Sequence, residues 1–201
     1  MQKEYNEIGS YRIIMNGDPI SKIQLLEHIK TKYANCFEMY DSIKQKSNKV
    51  LMSKAYSASL YGMFMPLDMM NKYNSHKGKV VNDFQKCNFI YYFLDDELLL
   101  TVRNIDKGDL YYIFYFHCES GIDVVWYSCK RKEVNIVGHI EFIGKNKCFF
   151  LESYDYKKIN AYKEYTFDDE TNTITEIIFA NDFLTNGKNY LKKNEFKKMG
   201  F

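Results

Sequence analysis

Two acidic triplets stand in matching surroundings: Asp95, Asp96 and Glu97 in YYFLDDELLL, and Asp168, Asp169 and Glu170 in EYTFDDETNTI. Paired carboxyls can serve as acid and base or nucleophile on a glycosidic bond, but only when two face each other across a substrate groove. The same residues suit hairpin turns, because Asp bonds its own backbone and tolerates turn geometry. The four histidines, His28, His76, His117 and His139, lie far apart, and neither HExxH nor a Cys/His pairing at zinc-site spacing occurs. No metal and no cofactor is expected. His117 is adjacent to Cys118, but neighbouring strand residues point to opposite faces and cannot aim at one target. His139 falls on the polar side of VNIVGHIEFI and reads as a solvated surface residue. Without a GxSxG elbow or a phosphate-binding glycine loop, the chain is expected not to be an enzyme.

The elements that would carry these residues change character near residue 88. Before it, GDPISKIQLLEHIKTKYANCFEMYDSIKQ predicts one long helix, starting at a Ser21–Gln24 capping box or at Asp18–Pro19. Its stripe of Leu26, Ile29, Tyr33, Phe37 and Tyr40 should lie on a sheet. A short strand is expected at Tyr11 to Met15. A second helix over KVLMSKAYSASLYGMFMPLDMMNKY, ending before Pro66, and a connection at residues 74–79 complete this part.

From residue 88 to about 180, short apolar runs alternate with turn-like clusters. They predict eight strands, over residues 88–94, 98–103, 110–117, 122–129, 134–143, 148–154, 161–167 and 173–180. The breaks are too short for helical crossovers, so the strands should form an antiparallel meander. In LYYIFYFH both parities are apolar, so something must cover its second face. The tail NGKNYLKKNEFKKMGF reads as a solvated terminal helix or frayed end. The expected fold is therefore α+β and a single domain over 1–201: a mainly helical part at 1–80, a meander at 88–180, and a tail at 181–201.

Composition agrees with a β-rich core. Tyr 18 and Phe 15 against two prolines favour pleated surfaces where aromatics pack across strands. A net charge of +2 gives no field that would draw nucleic acid. No apolar stretch is long enough for a bilayer span or an export signal, and the five cysteines are odd in number without CxxC spacing. A cytoplasmic protein with reduced thiols, neither membrane-bound nor nucleic-acid-binding, is expected.

In a meander, alternate turns share an end. The first, third, fifth and seventh turns hold Asp95, Asp96, Glu97, Glu119, Asp168, Asp169 and Glu170 against Lys145 and Lys147. The remaining turns, with Lys130, Arg131 and Lys132 among them, are mildly basic. One rim is thus expected to be acidic, a charge distribution that speeds and selects docking of a basic protein.

The hairpins IYYFLDDELLLTVRNID and FLESYDYKKINAYKEYTFDDETNTITEI, fronted by a helical segment, resemble immunity proteins of bacterial polymorphic toxin systems, contact-dependent inhibition included. The resemblance spans roughly residues 88–180. It implies a non-enzymatic cytoplasmic inhibitor that binds a cognate toxin domain directly, many such toxins being nucleases with basic clefts. The candidate partner-binding residues are Asp95, Asp96, Glu97, Glu119, Asp168, Asp169 and Glu170 in the turns, with Tyr115, Trp126 and Tyr127 as aromatic contacts. Two alternatives stand beside it. Eight strands closed into a barrel would make a small-ligand carrier, and carboxylates converging with His139 would make a hydrolase.

Overall fold

The computed structural model describes residues 19–55, 78–104, 110–119, 121–153, 161–168, 170–171, 173–182 and 188–197. The strand expected at 11–15 lies outside them. Helix α1 (Pro19–Lys32) opens on a proline, whose fixed φ suits the first helical position. Ser21 is therefore inside the helix and not its cap, and Asp18 lies outside the described residues.

The expected single helix is broken at residues 33–35, followed by a 3-10 turn (Cys36–Met39) and helix α2 (Tyr40–Lys46). A straight helix over the whole segment would run about 40 Å and carry its apolar stripe past the strands. The break re-aims it. Leu26 and Ile29 are buried, Tyr33 stacks on Phe116 at 3.8 Å and 3°, and Phe37 stacks on Tyr127 at 4.9 Å. The whole stripe lies on the sheet as expected. Ser47 ends α2 by returning both its N–H and its hydroxyl to the Ile43 carbonyl, at 3.0 and 2.8 Å.

Eleven strands follow: β1 (Lys49–Ala55), β2 (Gly78–Val80), β3 (Phe89–Leu94), β4 (Glu97–Arg103), β5 (Tyr111–Cys118), β6 (Gly121–Ser128), β7 (Glu133–Ile143), β8 (Lys147–Ser153), β9 (Ala161–Asp168), β10 (Thr173–Asp182) and β11 (Lys188–Lys197). They form one antiparallel sheet in the order β11-β10-β9-β8-β7-β6-β5-β4-β3-β1-β2. The eight expected strands are β3 to β10, a meander in which each pairs with the next.

Three strands were not expected. Residues 49–55, read as the start of a second helix, form β1, which pairs with β3 from Lys49 opposite Phe93 to Ser53 opposite Phe89. Residues 56–77 lie outside the described part. Gly78 and Lys79, expected in a connection, belong to β2. Residues 188–197, read as a helix or frayed end, pair with β10 over ten residues. Its lysines suit an edge strand, where charge discourages pairing with another chain.

The sheet has a core on each face. On one, Leu26, Ile29, Cys36 and Ile43 pack on Leu100, Phe114, Val125, Val137 and Leu151. On the other, Phe89, Tyr91, Phe93, Ile113, Trp126 and Phe150 form a second cluster. Both parities of β5 are covered: the helices lie over Tyr112, Phe114 and Phe116, and Ile113 and Tyr115 are buried behind. Among the described residues β11 and β2 do not pair. The sheet is open, not the closed barrel that the carrier alternative required.

Candidate functional site

Because β3 to β10 are sequential antiparallel neighbours, the turns after β3, β5, β7 and β9 do share one end of the sheet. From the first to the last is six strand spacings, about 29 Å at ~4.8 Å per strand. Asp95 and Asp168 thus stand at turns separated by six strand positions of one sheet, not at neighbouring turns.

At the β3–β4 turn, Asp95 and Asp96 have φ of 48° and 67°, the two left-handed positions of a type I′ hairpin. The Asn48 side-chain amide donates to the Asp95 carboxylate at 2.8 Å, and the Asp95 N–H donates to Asn48 Oδ1 at 3.2 Å. Lys49 Nζ pairs with Asp96 at 2.8 Å. Both acids are thus engaged by residues preceding and opening β1, an arrangement spanning 47 positions of sequence. Asp168 accepts the Glu170 and Thr171 N–H groups at 2.9 and 3.1 Å, and the Thr171 bond chiefly holds its carboxyl below the usual range. Glu97, Glu119 and Glu170 are exposed, with Glu97 4.0 Å from His117 Nδ1. Asp169 lies outside the described residues.

The three aromatics expected at the surface are elsewhere. Tyr115 and Trp126 are buried at 2% and 1% exposure, in the core on the face away from the helices. The Arg103 guanidinium lies 5.7 Å over Tyr111 and 5.8 Å over Trp126. Tyr127 is half-buried beneath Phe37. Tyr115 and Trp126 are thus part of the core, and Tyr127 packs under the 3-10 turn.

His139 also departs from expectation: it is 4% exposed. A bulge where Trp126 faces Ile136 and Tyr127 faces Val134 leaves Asn135 as an extra residue. It flips strand parity, so Val134, Val137 and His139 share the helix-covered face. There the Asp123 carboxylate accepts from His139 Nδ1 at 2.8 Å, which places the proton on Nδ1. The Tyr33 hydroxyl approaches from α1. Burial pushes its pKa up, Lys32 opposes, and Asp123 adds to the rise. His117 and Cys118 diverge as expected: the His117 ring meets the Leu98 carbonyl at 3.1 Å, and Cys118 Sγ the Gly121 carbonyl at 3.3 Å.

At the opposite end from the acidic turns, α2 and strands β3 to β5 enclose a cavity of about 300 Å³. Tyr40, Tyr92, Tyr112 and Phe84 supply aromatic walls, and Lys44 with Asn88 supplies polar groups. Tyr40 meets Tyr112 edge-on at 4.7 Å and 67°. Burial pushes the Tyr92 and Tyr112 hydroxyls up to about 12, with Tyr40 contributing to both. Sequence reading missed this cavity, although Tyr40 on the apolar stripe and the shared parity of Tyr92 and Ile90 were its visible signs.

Among the described residues no group of three or more His, Cys, Asp or Glu could hold a metal ion, and no helix is long and apolar enough to cross a membrane. Comparison of the chain with protein-family models, with curated proteins and with solved structures finds no match.

Proposed function

We propose that the chain is a non-enzymatic protein-binding module that neutralises a cognate toxin domain by direct binding, as the immunity proteins it resembles do. The observation that carries this reading is the shared end of the four alternate turns, where Glu97, Glu119 and Glu170 stand exposed. Asp95 and Asp96 shape that end, while Lys49 offsets the charge of Asp96 and the Asn48 amide occupies one oxygen of Asp95. The acidic face is thus narrower than the sequence suggested and centres on the three glutamates. Carboxylates spread over the alternate turns from β3–β4 to β9–β10 offer a surface for a protein and would steer a basic domain toward it.

The test is neutralisation. Expressed together with its cognate toxin domain, sought first in the neighbouring genes, the chain should restore growth, and the purified pair should associate more slowly as salt rises from ~50 to ~500 mM. The triple variant Glu97→Lys, Glu119→Lys, Glu170→Lys should keep its fold and lose most of the association rate. Absence of both protection and complex would remove the inhibitor reading. Full protection by the triple variant would remove the acidic rim alone.

A further inference from the structure

We propose that the cavity between α2 and β3–β5 is a binding site for a small planar aromatic monocarboxylate. Its volume of about 300 Å³ lies at the lower end of ligand pockets and suits one ring system with a short substituent. The rings of Tyr40, Tyr92, Tyr112 and Phe84 offer the faces and edges on which such a ring packs. Phe84 is 69% exposed, a large apolar side chain that a ligand in the cavity would partly shield from water.

Charge selects within that class. Among the described residues that line the cavity Lys44 is the one that is formally charged, and its Nζ lies 4.9 Å from the Tyr40 ring centre. The adjacent carboxylate of Asp83 is taken by Lys86 at 3.0 Å and by the Gln85 N–H at 2.9 Å. A single ammonium among apolar walls favours one negative charge and repels a cation. The phenol groups are protonated at neutral pH, as ordinary tyrosines are, and a carboxylate can compete for their hydroxyl hydrogens with the Tyr40 and Cys129 side chains that now neighbour them. Charge-assisted bonds from Lys44 and a tyrosine hydroxyl would then fix the ligand's acidic end. The site is at the other end of the sheet from the acidic turns, so its fate is independent of the inhibitor reading.

The experiment is an NMR titration of the isotopically labelled full chain with benzoate, 4-hydroxybenzoate and indole-3-carboxylate, with benzylamine as the cationic control. At least one carboxylate should saturate with a Kd below about 5 mM, shifting the Asn88, Tyr92 and Tyr112 resonances. Lys44 is exposed on α2, so Lys44→Met should leave the spectrum of the free protein folded and weaken binding at least ~10-fold. The proposal is overturned if none of the three carboxylates saturates below that limit, if Lys44→Met binds as the wild type does, or if benzylamine binds as well as the best carboxylate.

Discussion

His139 on β7 and Asp123 on β6 are cross-strand partners that meet at 2.8 Å beneath α1, with side chains 5% and 8% exposed. The carboxylate can only accept, so the imidazole must present Nδ1–H to it. Neither group can be removed alone without leaving the other buried and poorly paired. Asp123→Val should therefore cost about 3 kcal/mol, while Asp123→Val with His139→Leu should cost less than Asp123→Val alone, because an apolar pair needs no partner. Urea denaturation of the two single variants and the double variant measures the coupling. Additive losses would show that the two residues stabilise the sheet independently.

The β3–β4 hairpin holds non-glycine residues at φ of 48° and 67°. Asp tolerates that region better than Ala and less well than Gly. Asp96→Ala should destabilise by about 1 kcal/mol. Asp96→Gly should be neutral or stabilising by up to ~1 kcal/mol, since the exposed bridge to Lys49 that it loses is worth little. Asp95→Ala should be the costlier change of the two alanines, because it also strips the acceptor from Asn48. If the glycine variant proves less stable than the alanine variant, the left-handed turn is not what these residues supply.

Gly138 on β7 has its missing side chain where the partner strand already sits. A Cβ there would lie 2.7 Å from the Leu151 carbonyl oxygen and 2.8 Å from the Phe150 ring. The ring could rotate away, but the carbonyl belongs to the neighbouring strand. Gly138→Ala should cost ~1–3 kcal/mol, with faster amide exchange along β7 and β8. An unchanged denaturation midpoint would mean that these strands part at no cost.

How much of this was legible in sequence depended on the distance over which each feature is decided. Strand ends from β3 to β10 were found nearly to the residue, because DDE, ESG and GKNK are local turn signals that no tertiary contact needs to confirm. The burial of His139 was not: it lies on the face opposite Ile136 and Ile140 as its parity says, but nothing local shows that the helices cover that face too, and the bulge at Asn135 only adds Val134 to it. β1 was read as helix because its strand state is decided by pairing with β3, about forty positions away. The acids of the first turn looked free for the same reason, their partners being Asn48 and Lys49. The cavity needs α2 laid across three strands, and no window of sequence contains that.

None of the five cysteines is in a disulfide, and their surroundings rank their reactivity. Burial pushes the Cys36 thiol up to about 12 and the Cys148 thiol further in the same direction. Only thiolate attacks a disulfide reagent, so both should be inert in the native protein at pH 8. Cys118 is exposed and should be modified within the first phase. Mass spectrometry after timed DTNB treatment should find Cys36 and Cys148 labelled only as fast as the chain unfolds. Labelling of Cys148 at the rate of Cys118 would contradict its placement in the core.

Asp168 makes the β9–β10 turn sensitive to acid. Its carboxyl is held below the ordinary Asp value, first by the Thr171 backbone N–H and hydroxyl, with the Glu170 N–H adding to the effect against a small opposing cost of burial. A lowered folded-state value means that the carboxylate contributes stability above the unfolded Asp range, near pH 3.9. That contribution disappears as pH falls through the lower folded value. Asp168→Asn lacks the titrating group, so the stability gap between it and the wild type should be constant from neutral pH down to about 5 and narrow below about 4. The Glu170 and Thr171 amide resonances of the wild type should move through the same pH window and those of the variant should not. A stability gap that persists unchanged at pH 2 would show that the turn does not depend on the ionised carboxylate.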